Sequence, residues 1–278
     1  MKRLFLLAAY TPSGKAEASL VFMARSLAEA GDVVLCADSP MDAESVGRLE
    51  PYLLHCMAER HGEYDFGSYK RAWMWAEESL DMAGYDFVYL VNDSVFGPIF
   101  GFLPLLERLE RENRGGAFSL VYNPRRKSPH MQSWFVGLSE AVFLMPWFDA
   151  FMKGIRKTSG KNEVCTIYET GLTELLTEHG VPIGHAFTAR GKDVYNHPLR
   201  LCRKGLPFVK KSSFTRHNGS VGHEISMIVK KFPSEGTDAM IAGAREAFGE
   251  RQADDIFRTS WIHSKLKYLT YLYDKIRR

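Results

Sequence analysis

The stretch "YDFVYLVNDSVFGP", Tyr85 to Pro98, decides how the rest of the chain is read. An apolar run ends abruptly in Asn92-Asp93-Ser94, and Gly97-Pro98 follows close behind. A short apolar run bounded by turn residues has the pattern of a strand buried on both faces. It brings an acid to its own carboxyl end. Two readings of that acid stand side by side. Asn92, Asp93 or Ser94 caps a turn or the next helix, or Asp93 holds a divalent cation that bridges two phosphates.

Upstream, strand and helix patterns alternate. "RLFLLAA", "DVVLCAD" (ending at Asp38) and "YLLHCMAER" read as further strands. "GKAEASLVFMARSLAEAG" places Ala18, Phe22, Ala24, Leu27 and Ala28 near one helical face and stops at Gly31, read as a C-cap. "GSYKRAWMWAEESLDMAG" reads as a second helix, also ending in glycine. This alternation predicts βαβ crossovers and an α/β fold around a mainly parallel sheet. Ligands of such sheets bind outside the carboxyl ends of the strands. That directs attention to Tyr10-Thr11, Asp38, the "RHGEYDFG" loop and Asn92-Asp93-Ser94.

The 278 residues suffice for a large core, and a formal charge of +3 gives no reason to invoke nucleic acid. Cys36, Cys56, Cys165 and Cys202 are scattered, without a C-x-x-C pair, and read as reduced thiols of a cytoplasmic protein. "MKRLFLLAAYTPSGK" imitates a signal peptide but lacks a small-residue cleavage site, so Leu4 onward reads as a first buried strand. No stretch has the length of a membrane span.

Further along, "HMQSWFVGLS" reads as a strand, Glu140 to Met152 as a helix, and "NEVCTIYETGLTELLTEHG" as another helix closed by Gly180. "HPLRLCRKGLPFVKKSSFTRHNG" reads as loops with a basic face. Helical patterns follow around Gly222–Lys231, Thr237–Gly249 and Asp255–Arg278. The expected organisation is one domain over 1–211, with a nucleotide-binding half (1–100) and an acceptor half (101–211). A C-terminal helical extension over 212–278 packs on it.

Several side chains are candidates for chemistry. Asp65 precedes Gly67, and Lys70 falls on the first turn of the predicted helix, an arrangement suited to an anion. The plainer reading makes Asp65 a helix cap. On a strand, His130 and Gln132 share a face that Trp134 continues, which suits a sugar pocket or a solvated edge. Glu169, near the start of an apolar helix, is either a general base or a first-turn acid favoured by the helix dipole. Lys210 and Lys211, with Arg200, Arg203 and Lys204 nearby, suit a pyrophosphate or a solvated surface. "TPSGK" lacks the P-loop spacing. The C-terminal "IFRTSWIHSKLKYLTYLYDKIRR" mixes apolar and basic residues at helical spacing. It either lies on an anionic membrane or partner, or packs its Trp261, Leu269 and Leu272 face on the domain.

"RHGEYDFGSYKRAW", "YDFVYLVNDSVFGP", "HMQSWF", "IYETGLTELL" and "HPLRLCRKGLPFVKK" occur together and in order. As a set they resemble the signature blocks of the rhamnan synthesis F family, from Arg3 to Lys211, with no such block in the tail. The resemblance implies a GT-A-like nucleotide-binding sandwich that transfers rhamnose or a related sugar from a nucleoside diphosphate donor, dTDP-rhamnose first among them. The acceptor it implies is a glycan or a lipid-linked glycan of a surface polysaccharide such as lipopolysaccharide. Asn92-Asp93-Ser94 stands where such enzymes carry D-x-D, with one acid instead of two, so Mg²⁺ or Mn²⁺ at Asp93 is an expectation made on reduced ligand chemistry. By the same carry-over, Tyr10, Thr11 and Asp38 hold the nucleoside. Asp65, Lys70, Asn92, Ser94, Arg203 and Lys210 line the donor side, while His130 and Gln132 face the sugar or acceptor. Glu169 is the base of an inverting displacement. Two other functions fit the same residues: a nucleotidyl- or phosphoryl-transferase, and a non-catalytic module that binds glycan or nucleotide.

Overall fold

Leu4, Phe5, Leu6 and Leu7 have no solvent exposure. Their strand, β1 (Arg3–Ala9), runs through the middle of an eight-stranded sheet. The computed structural model describes residues 1–277, so Arg278, at the end of the last predicted helix, lies outside the described residues. Around β1 stand β2 (Asp32–Ala37), β3 (His55–Ala58) and β4 (Phe87–Asn92), all parallel, in the order β3-β2-β1-β4. The register of β1 and β4 sets Ala8 opposite Asn92. Next to β4 lies β8 (Phe135–Ser139), antiparallel, and then β6 (Ala117–Asn123). β6 also pairs antiparallel with β7 (His130–Met131) and parallel with β9 (Ile183–Thr188). The fold is the α/β architecture around a mainly parallel sheet that the alternating patterns predict, with a helical C-terminal segment.

Helices cover the sheet with aromatic-rich faces. The helix Tyr64–Ser79 buries Phe66, Tyr69, Ala72, Trp73 and Ala76, the spacing of a single helical face. They pack in one core with Leu6, Val34, Leu90 and Val136 from four strands. Among the described residues no helix is long and apolar enough to cross a membrane.

The residues divide into two compact units. The first comprises Met1–Ala16, Met23–Asp93 and Leu103–Thr188, and holds the eight-stranded sheet. The second comprises Glu17–Phe22, Ser94–Phe102 and the chain from Ala189 on. It contains a two-stranded ribbon, β5 (Val95–Phe96) with β10 (Val209–Lys210), and the helices Gly222–Lys231, Glu235–Phe248, Glu250–Arg258 and Trp261–Arg277. Phe96, Val209, Phe214, Ile225, Met240 and Ile256 form its core.

Several local expectations are corrected. "HMQSWFVGLS" is two strands, not one, because the chain turns between β7 and β8 to run beside β4. The helix expected over Glu140–Met152 breaks into Glu140–Phe143 and Pro146–Lys153, since Pro146 disfavours helical geometry at Met145 and is itself suited to a first turn. The last predicted helix likewise divides, at Thr259-Ser260. The "GSYK" helix starts earlier and ends at Ser79 rather than at its glycine. Gly31 is no left-handed cap; a Cβ there would come within 2.5 Å of the Arg3 carbonyl oxygen, so the site needs glycine for close approach. The basic "loops" contain the helix Pro198–Arg203 and β10. Finally, of the Trp261, Leu269 and Leu272 face expected to pack, the C-terminal helix half-buries Leu272 and leaves the other two outside. Trp261 and Leu269 are each 60% exposed, and Ser264 is its buried residue.

Candidate functional site at the strand ends

Four of the predicted residues gather at the carboxyl ends of β1, β2 and β4. Asp93 follows β4 directly, and its backbone N–H donates to the Ala8 carbonyl (3.0 Å), which extends the ladder by one step. Its Oδ2 accepts the Tyr10 backbone N–H at 3.3 Å. Tyr10 itself is half exposed, with the Arg60 guanidinium 5.3 Å from its ring centroid. Thr11, by contrast, is buried, and both its N–H and its hydroxyl meet Ser39 Oγ at 2.9 Å.

Asp38 organises the loop after β3. Its carboxylate accepts backbone N–H groups from Gly62 (2.6 Å), His61 (2.9 Å) and Tyr64 (3.2 Å). Burial alone pushes this carboxyl up, but the Gly62 and His61 backbone N–H groups and the nearby Arg60 guanidinium outweigh it and hold it below the ordinary value. The His61 ring accepts the Glu63 N–H at Nδ1 (3.1 Å), so its proton sits on Nε2, facing Ser68 Oγ (3.0 Å). Burial, and then the Arg71 charge, lowers the His61 value, in keeping with that neutral tautomer. Gly67 lets the loop close: a Cβ there would fall 2.2 Å from Glu63 Cβ. Because folded Asp38 keeps its charge to lower pH than the unfolded chain does, its contribution is complete above the ordinary carboxylate range, about pH 4. The contribution is lost as pH falls through the lowered value. Asp38→Asn is expected to flatten the acid limb of the stability–pH curve, measured by urea unfolding between neutral pH and about pH 3.

A second group surrounds Tyr69. Asp65 is not the helix cap; it lies in the first turn of Tyr64–Ser79, and its Oδ2 accepts from Asn92 Nδ2 at 2.9 Å. Four residues on, the fully buried Tyr69 hydroxyl donates to the Ser133 carbonyl at 3.0 Å. Burial and the Asp65 charge raise the Tyr69 phenol well above its ordinary value, Asn92 opposes this by hydrogen bonding, and Glu169 and Asp93 add to it.

Glu169 is not in a first helical turn. It lies in the π-helical stretch Cys165–Thr170, between the helices Lys161–Val164 and Gly171–Glu178. Such wide turns rotate side chains away from the ordinary helical face and recur at functional sites. Its Oε2 accepts the Ser133 N–H (3.0 Å) and hydroxyl (2.7 Å). Its Oε1 stands 3.6 Å from His130 Nε2. The other ring nitrogen, His130 Nδ1, is 2.8 Å from the Ser128 carbonyl, which only accepts, so Nδ1 carries a proton. His130 and Gln132 are buried rather than solvated. They do not share a regular strand, because β7 ends at Met131, and Gln132 Oε1 accepts from Trp134 Nε1 at 2.9 Å.

Other predicted residues are engaged elsewhere. Lys70 donates to the Ile155 carbonyl at 2.8 Å. In the second unit, Lys210 is buried and donates to Ser94 Oγ at 2.8 Å, while Lys211 pairs with Glu17 at 2.6 Å. Arg203 is exposed. Sequence reading missed Tyr69, Ser133 and Arg60. Tyr69 had a signal, since it stands one helical turn from Asp65; Ser133 and Arg60 had none.

The carboxyl ends of the parallel strands thus collect carboxylates, an amide and the half-exposed Tyr10 ring. The chain belongs to the rhamnan synthesis protein F family, whose match spans residues 33–240. The match runs past Lys211, so the tail that carried no recognisable block is within the family through residue 240. No curated protein matches the chain. Among solved structures, a "putative nucleotide-diphospho-sugar transferase" from Desulfovibrio desulfuricans G20 is similar at 17% identity and a TM-score of 0.43, covering 93% of this chain and 98% of that one.

Proposed function

We propose that the protein is a cytoplasmic GT-A-like glycosyltransferase of surface-polysaccharide synthesis, acting at the inner face of the membrane. It uses a nucleoside diphosphate sugar, with dTDP-rhamnose the first donor to try, and a glycan or lipid-linked acceptor. Family membership supports the class, and the observation that carries the site is the hydrogen-bonded set at the strand ends, in which Asn92 holds Asp65, Ser133 holds Glu169 and Asp93 meets the Tyr10 N–H. In an inverting displacement the acceptor oxygen bonds to the anomeric carbon as the bond to the diphosphate oxygen breaks. The electron pair leaves with the nucleoside diphosphate, and the acceptor proton passes to Glu169.

Among the described residues no three of His, Cys, Asp and Glu come together as a metal cage. A hard cation shared with a diphosphate needs less, one or two carboxylates plus phosphate oxygens, and Asp93 fits that role. Asp93 would hold Mg²⁺ or Mn²⁺, which when bound would supply charge neutralisation for the leaving diphosphate. Tyr10 and Thr11 follow β1 at the nucleoside side of this reading.

Thermal-shift titration with nucleoside diphosphates, with and without Mn²⁺, tests this. A rise in Tm that Asp93→Ala abolishes is the expected result. Silence across the nucleotides favours a binding module for glycan. Release of a nucleoside monophosphate instead of a diphosphate during turnover identifies a nucleotidyl- or phosphoryl-transferase.

A further inference from the structure

The helix Trp261–Arg277 is applied to its unit by one side only. Ser264 Oγ accepts the His223 N–H at 3.0 Å, Lys267 reaches Asp255, and the Tyr268 and Tyr271 rings meet His217. On the opposite side Ile262, Leu266, Leu269, Tyr273 and Ile276 form a continuous stripe at helical spacing. They are 64, 54, 60, 57 and 84% exposed. At 3.6 residues per turn, Lys265 and Arg277 fall roughly 60° to either side of the centre line of this stripe. Lys265 stands 5.6 Å from the Trp261 ring centroid, and Arg277 stands 5.1 Å from that of Tyr273.

We infer that this stripe docks on an anionic lipid bilayer. Charge selects that occupant over a second copy of the chain. Asp274 is the helix's only acid, and it lies roughly 120° from the stripe's centre. Two copies paired through the stripe would bring cations together with no carboxylate between them. Lipid phosphates complement both cations, whose long stems let the charged heads reach the headgroups while the stripe enters the acyl boundary. Trp261 and Tyr273, each beside a cation, have the amphipathic rings favoured at that depth. The inference stands whether or not the chain transfers sugar.

Co-sedimentation of the full chain with vesicles provides the test. Binding to mixed phosphatidylcholine–phosphatidylglycerol vesicles is expected to exceed binding to phosphatidylcholine alone by about tenfold or more, and to weaken as salt is raised. Ile262→Glu with Leu269→Glu is expected to abolish it, and Lys265→Glu with Arg277→Glu to remove the preference for anionic lipid. All four side chains are on the exposed side, and an unchanged far-UV spectrum and Tm verify folding of the variants. Absence of vesicle binding by the parent chain, or equal binding to neutral vesicles, overturns the inference. So does a lipid-free dimer in light scattering that Leu269→Glu dissociates, which would assign the stripe to a second copy.

Discussion

Glu110→Ala is expected to destabilise the protein by about 3–5 kcal/mol, the usual result of orphaning one member of a buried ion pair. Glu110 has no solvent exposure. Its carboxylate accepts from Arg3 Nε (2.5 Å), Arg3 Nη2 (2.9 Å) and the Tyr89 hydroxyl (2.5 Å). The hydrogen bond to Glu110 raises the Arg3 value although burial opposes it, and burial followed by the Glu110 charge raises that of Tyr89. Removing the carboxylate therefore leaves a buried guanidinium and a buried phenol without their partner. At roughly 2–4 °C per kcal/mol for a domain of this size, the loss in Tm is on the order of 10 °C, read by calorimetry or thermal melting. Two controls separate the charge from the packing. Tyr89→Phe keeps the pair and is expected to cost only about 1 kcal/mol. Arg3→Met with Glu110→Leu removes both charges and is expected to recover most of the loss. If Glu110→Ala alone left the melting curve unchanged, the buried pair would have no part in holding β1 in place.

That pair also shows where sequence reading stops. Arg3 and Glu110 are 107 residues apart, and neither neighbourhood signals the other. The central strands were legible because β1, β2 and β4 are continuous apolar runs, which only burial on both faces explains. The strand-end rule then located Asp93 and Asp38 without any contact information. What it could not supply was the use of each carboxylate: Asp38 closes its own loop, whereas Asp65 reaches Asn92. "HMQSWF" misled because its composition suits a strand, while the turn at Gln132–Trp134 is set by pairing partners distant in sequence, with the Gln132 N–H bonded to Val121. Periodicity found the last helix, but it reads only the presence of an apolar face, not whether anything covers it. The π-helical stretch at Cys165–Thr170 has no compositional signature either, so the orientation of Glu169 came from the structure alone.

Glu169→Gln is expected to lower kcat for sugar transfer by about 10²–10⁴-fold, the range for loss of a general base. The argument rests on how the two carboxylate oxygens are used. Oε2 is held by two Ser133 donors, which fixes the side chain, while Oε1 is left facing His130 Nε2 across 3.6 Å. That gap exceeds a direct hydrogen bond, so in the proposed reaction Oε1 is the oxygen that would take a proton from an acceptor hydroxyl. With a proton on Nδ1 toward the Ser128 carbonyl, His130 turns its Nε2 toward Oε1. Glutamine keeps the size of the side chain and an oxygen for Ser133 but cannot accept the proton. Donor binding, followed by thermal shift, is therefore expected to be unchanged while turnover collapses. His130→Gln is expected to reduce kcat by a smaller factor and to alter its pH profile, because the imidazole acts on Glu169 rather than on the substrate. Ser133→Ala frees the carboxylate from its anchor, and is expected to raise KM for the acceptor as well as lower kcat. Full transfer activity in folded Glu169→Gln would remove Glu169 from the mechanism and leave Asp65 and Asp93 as the acids to test next.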